Sequence, residues 1–101
     1  MYRASTPTHK FGFPFSKDVI AELLITYMKA DTDEIVLEKR LSDGKFGEDG
    51  KFSYTLTQEE TSMFDGGMAR VQARVKSQNG KVMASKIYLI DVLDVLNDEV
   101  L

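Results

Sequence analysis

One histidine, three knots of carboxylates and a row of cations are the side chains of this chain that could do chemistry. His9 is the sole histidine. A serine or cysteine nucleophile activated by imidazole would have to use it, and no G-x-S-x-G elbow offers such a serine. A surface or half-buried strand residue is the better reading. Asp31, Asp33 and Glu34 fall in one turn, and Asp43, Glu48 and Asp49 in a glycine-rich stretch. Calcium draws several oxygens from such loops, yet neither has EF-hand spacing, and aspartate and glycine are ordinary turn formers. Glu59 and Glu60 could be imagined as an acid–base pair, but adjacent helical residues point apart and Glu60 has a capping role. Arg70, Arg74 and Lys76 recur at strand spacing and place their charges on one face. That stripe is a plain solvated face, a contact for an acidic protein partner or, last in order, a phosphate grip. Tyr88 is the sole aromatic beside it for base stacking.

The elements that position these groups follow from periodicity. Ala69, Val71, Ala73 and Val75 alternate with Arg70, Gln72, Arg74 and Lys76, a half-buried strand. Asn79-Gly80 predicts a type I′ hairpin turn, with Ser77 facing Val82 and Val75 facing Ala84. Carried on, that register buries Lys86. A β-bulge near Ala84-Ser85 repairs it by pairing Ile87 with Ala73 and Leu89 with Val71. Tyr88 and Ile90 then join the arginines and Lys86 on the outer face.

Earlier, His9, Phe11, Phe13 and Phe15 alternate on a strand that Pro14 confines to an edge or kinks. Val19 to Lys29 reads as a central strand, apolar on both faces. Ile35 to Leu41 and Phe52 to Leu56 are further strands, separated by a loop or minor strand over 42–50. Thr57-Gln58-Glu59-Glu60 is a capping box that starts a short helix to about Asp65, with Met63 and Phe64 turned inward and Gly66 or Gly67 ending it.

Six to seven strands with turns every 8–12 residues and one short helix near 58–65 predict an all-β, immunoglobulin-like antiparallel sandwich. It spans residues 1–91. The acidic, apolar tail over 92–101 has Val92, Leu93, Val95, Leu96 and Val100 at helix-like spacing. It is read as a helical turn capping its own sandwich or as an arm docking on a neighbouring copy.

Composition narrows the function classes. The net charge of −3 argues against general nucleic-acid binding, although Asp91, Asp94, Asp98 and Glu99 carry most of it at one end. The absence of cysteine removes disulfides, thiol catalysis and thiolate metal sites. No apolar run reaches the ~18 residues of a membrane span, and residues 1–10 lack the apolar stretch of a signal peptide. Synthesis in the cytoplasm is expected.

The stretches R-A-S-T-P-T-H-K-F-G-F-P-F (3–15), L-T-Q-E-E-T (56–61), V-Q-A-R-V-K-S (71–77), G-K-V-M-A-S (80–85) and D-V-L-N-D-E-V-L (94–101) resemble small, uncharacterised proteins encoded in phage and prophage regions of Gram-positive bacteria. The pattern expects glycine at position 4, where this chain has alanine. The resemblance implies a virion-associated or assembly protein, in head, neck or tail, residing in the virion, and brings no catalytic or binding residues with it. The expected function is therefore a non-enzymatic structural or interaction module without cofactor, which contacts other virion proteins or itself as a homo-oligomer. Arg70, Arg74, Lys76, Tyr88, Ile90, Leu93, Leu96 and Val100 form the expected interaction surface. The alternative is a binding module for a carbohydrate or host-surface ligand that uses loops 30–34 and 42–50.

Overall fold

A computed structural model describes residues 1–101. The strands are β1 (Thr8–Phe11), β2 (Ile20–Lys29), β3 (Ile35–Arg40), β4 (Lys45–Phe46), β5 (Phe52–Thr55), β6 (Gly67–Ser77), β7 (Val82–Ala84) and β8 (Tyr88–Val92), with one helix, α1 (Gln58–Ser62). Single 3-10 turns cover Lys17–Val19 and Leu41–Asp43. One antiparallel sheet runs β1-β5-β4. The other runs β3-β2-β6, with β7 and β8 sharing the far edge of β6. The two sheets form the expected immunoglobulin-like β-sandwich. The strand count rises to eight because the last strand is split and the glycine-rich loop holds the minor strand β4.

Alternation builds the core. Leu23, Ile25 and Tyr27 of β2 and Ala69, Val71, Ala73 and Val75 of β6 turn inward, against Phe52, Tyr54 and Leu56 from the smaller sheet's side. β1 lies at an edge, as Pro14 requires, and its pairing stops at Phe11. Beyond it, the rings of Phe13 and Phe15 stack at 5.8 Å and pack on the core without further strand.

The capping box forms as read. Thr57 Oγ1 accepts from the Glu60 amide, and Glu60 Oε1 accepts from the Thr57 amide. The helix nevertheless ends at Ser62, shorter than expected. Phe64 is buried but Met63 is exposed. The positive φ of Gly67, +116°, serves the entry to β6 rather than the end of the helix.

The hairpin corrects the expected register by one residue. Lys76 faces Val82, Val75 faces Met83 and Arg74 faces Ala84. Gly80 alone has positive φ, +88°, while Asn79 does not. The Ser77 amide donates to the Lys81 carbonyl at 2.8 Å. This is a three-residue loop closed by a left-handed glycine, the next most common hairpin connection after the two-residue turns.

The break after Ala84 is present, and its register differs from the expected one. Val71 faces Tyr88, Arg70 faces Leu89, and Ala69 faces Ile90. The Ser85 hydroxyl accepts from the Ala73 amide and the Ser85 amide donates to the Ala73 carbonyl, so β6 keeps its hydrogen bonds across the gap. Tyr88 and Ile90 therefore turn toward the inner face. Ile90 packs on the core, and the Tyr88 ring meets Phe11 edge-on at 6.3 Å. Ile87 and Leu89 take the outer positions and are more than half exposed.

No helix forms beyond β8. Val92 ends the strand inside the core. The Leu93 amide donates to Met1 O, and the Arg3 amide donates to Leu93 O, both at 2.8 Å. Ala4 follows with φ of +55°, in the left-handed region that favours glycine.

Candidate protein-binding face

The outer face of the five-stranded sheet is an array set by the pairing registers. The outward residues of β6, in order, are Lys76, Arg74, Gln72 and Arg70. On the edge side, Val82 stands across from Lys76, Ala84 from Arg74 and Leu89 from Arg70. On the inner side of the sheet plane's row, β2 places Glu22 beside Lys76, Leu24 beside Arg74, Thr26 beside Gln72 and Met28 beside Arg70. β3 then sets Arg40 against Leu24 and Glu38 against Thr26. The row is thus flanked by Val82, Ala84 and Leu89 on the edge side, and on the β2 side by polar and apolar residues in alternation, Glu22, Leu24, Thr26 and Met28.

Arg70 is already committed. Its Nε donates to Lys29 O at 3.0 Å, a terminal nitrogen donates to Thr32 O at 2.5 Å, and Asp33 lies 3.7 Å away. This guanidinium clasps the β2–β3 turn. Arg74 and Lys76 are exposed and take part in none of the molecule's ion pairs. With Arg40 they rim a groove of about 650 Å³ whose apolar lining includes Leu24, Leu41 and Val82, and to which Glu22 adds one carboxylate against the three cations. Arg40 lies 3.9 Å from Glu38 in an exposed pair, worth little.

Of the eight residues singled out from sequence, Arg74 and Lys76 meet in this groove, and Arg70 stands on the same face but is occupied. Tyr88 and Ile90 belong to the inner face, and Lys86 Nζ sits 5.0 Å over the Tyr88 ring. Leu93, Leu96 and Val100 lie along the segment that follows β8, all exposed. Sequence reasoning missed Arg40, Leu24, Leu41 and Val82. Arg40 and Leu24 sit on different strands, and only the β2–β3 register brings them together.

The other chemical groups have structural partners. His9 Nδ1 and the Tyr27 hydroxyl lie 2.5 Å apart, and the Tyr27 and Tyr54 hydroxyls are again 2.5 Å apart. This chain of polar atoms crosses from the edge strand β1 to β2 and back to β5. Burial holds the His9 imidazole below its ordinary pKa, helped by the positive N-terminal amine. Burial raises Tyr27 well above the ordinary phenol range, and pushes Tyr54 up to about 12 against the Tyr27 hydrogen bond.

Glu60 is capping Thr57 and also meets Lys39 Nζ at 2.6 Å. Its partial burial works against ionisation, and the Lys39 and Thr57 hydrogen bonds overcome that and hold the carboxyl below its ordinary value. Asp43 accepts from the Arg40 amide and Asp49 from the Lys51 amide. No three His, Cys, Asp or Glu side chains are gathered so as to hold a metal ion.

No family model and no curated protein matches the chain. Among solved structures it is similar to the crystal structure of CopC from Methylosinus trichosporium OB3b, with a TM-score of 0.55 and 23% identity over 95% of this chain and 85% of that one. At that identity the likeness speaks for the fold, a β-sandwich.

The expected function is corrected by this comparison. The structural likeness is to CopC and not to a head, neck or tail component of a virion. The carbohydrate alternative also lacks support. Phe46, the one aromatic of the 42–50 loop, is half-buried with its ring 5.3 Å from Phe52, and so offers no open stacking platform. The 30–34 loop is held by Arg70 and by the Thr32 hydroxyl, which accepts from the Glu34 amide.

Proposed function

We propose that this chain is a protein-binding β-sandwich domain, and that the outer face of its five-stranded sheet receives an acidic, apolar segment of a protein partner. One observation carries the reading: Arg74 and Lys76, cations without ion-pair partners, stand with Arg40 around a groove of about 650 Å³ that Leu24, Leu41 and exposed Val82 line, with Glu22 as its single carboxylate. Charge over apolar surface is the complement of a segment that alternates carboxylates and aliphatic side chains. Exposed apolar groups rimmed by polar ones mark interaction surfaces. The proposed role is binding, and the single imidazole is engaged with Tyr27. Nucleic acid fits less well, because Arg70 is withdrawn from the cationic row and the net charge is −3.

The test is a nuclear magnetic resonance titration with a short peptide of alternating glutamate and leucine. Amides of Leu24, Arg40, Arg74, Lys76 and Val82 should shift. The counterpart peptide with lysine for glutamate should leave them in place. The double variant Arg74→Glu, Lys76→Glu should weaken binding about tenfold or more. Shifts scattered away from the groove, or equal shifts with the basic peptide, would overturn the reading.

A further inference from the structure

The segment after β8 is fastened in an unusual way. Arg3 donates to the carbonyls of Phe64 and Ser62 and to Asp94 Oδ1, and reaches Asp98 at 3.8 Å. The Gln58 side-chain amide exchanges two hydrogen bonds with the Leu101 backbone, at 2.8 and 3.0 Å. Val95 is half-buried beneath. The backbone is thus held along α1, while Leu96 is fully exposed and Val100 is 53% exposed. Asp94, Asp98 and Glu99 accompany them. The result is a fixed ridge of aliphatic side chains with carboxylates between.

This ridge has the chemistry the groove calls for, but not on the same copy. The ridge stands where β6 begins, near Gly67, and the groove stands where β6 ends, near Lys76. At ~3.3 Å per residue, the length of β6 separates them by about 30 Å. The ridge cannot bend into its own groove without giving up the Arg3 and Gln58 contacts.

We propose that the C-terminal ridge of one copy docks into the outer-face groove of a second copy. Leu96 and Val100 meet the apolar lining at Leu24, Leu41 and Val82. Glu99, the ridge carboxylate outside the Arg3 ion pairs, meets Arg74 and Lys76. The inference rests on the protein-binding reading and names its partner. A ridge confined to residues 92–101 supplies fewer than the roughly 20–30 residues a side of a standard stable interface, so association is weak and rises with concentration.

Sedimentation velocity over about 10 µM to about 1 mM, the range in which weak contacts populate, reads it directly. The average mass of the full chain should climb. The variant Leu96→Ser, Val100→Ser alters only exposed side chains, and should stay monomeric or weaken association about tenfold or more. Arg74→Glu alone and Glu99→Lys alone should each associate poorly, and their mixture should associate better than either. A parent chain that stays monomeric throughout, or a ridge variant that associates like the parent, overturns the inference. If the chain stays monomeric while the glutamate–leucine peptide still shifts the groove amides, the ridge proposal falls and the protein-binding reading stands. If the peptide fails too, both fall.

Discussion

A lone histidine attracts catalytic readings, and His9 shows what else it can be. Its ring bridges a small edge strand to the central strand of the opposite sheet through Tyr27, and Tyr54 completes the chain of hydroxyls. From sequence, the half-buried strand position of His9 was legible from the alternation of residues 9–15. Its partner was not, because Tyr27 lies in another sheet and no spacing rule relates them. Burial lowers the folded-state pKa below the ordinary value of 6.5. An unfolded chain then binds the proton more readily than the folded one, so protonation favours unfolding. The contribution is complete above about pH 6.5 and is lost as pH falls below it. Urea midpoints should therefore decline between about pH 7 and about pH 5, ahead of carboxylate titration. His9→Gln should flatten that decline, and an equally steep decline in this variant would assign the dependence to other groups.

At the scale of elements, the capping box was read correctly, while the helix's length, the hairpin's loop type and its register were not. The capping box at Thr57 and Glu60 lies within one turn, so the sequence alone determines its geometry. The hairpin depends on a choice between two loop types that share the dipeptide Asn79-Gly80. A two-residue turn would need positive φ at both positions, whereas the three-residue loop needs it at Gly80 alone. That single residue of slip, with the break at Ser85, decided which of Ile87, Tyr88, Leu89 and Ile90 face the core, since a one-residue shift exchanges the faces. The two loops predict different mutational costs. Gly80→Ala places a Cβ at φ of +88° and should destabilise by about 1 kcal/mol. Asn79→Ala should cost less than about 0.5 kcal/mol, because only its side-chain contacts to Ser77 and Lys81 are lost. Chemical denaturation of the two variants gives both values. Equal losses would restore the two-residue turn.

Across the whole molecule, the sandwich was legible because the alternating stretches at 9–15, 35–41, 52–56 and 69–76 each demand one buried face, and two packed sheets satisfy them all. The end of the sandwich was harder to place. Val92, Leu93, Val95 and Leu96 have a helix-like spacing that predicted a helical turn, and none forms, because a run this short does not determine its own structure. Tertiary contacts decide it instead. Val92 is 2% exposed in the core, and Leu93 is bonded on both sides to the N-terminal residues Met1 and Arg3. Beyond Asp94 the segment is fixed by exposed polar contacts, which contribute little. The mechanical end of the sandwich therefore lies after Leu93. A chain stopped after Asp94 should keep its thermal midpoint to within about 4 °C, since the lost contacts amount to about 1 kcal/mol or less. A chain stopped after Asp91 loses the Val92 side chain from the core and the two Leu93 backbone bonds. It should lose about 3 kcal/mol, a fall of roughly 12 °C or more for a domain of this size. Differential scanning calorimetry on the two truncations separates the cases, and similar midpoints for both would place the boundary before Val92 instead.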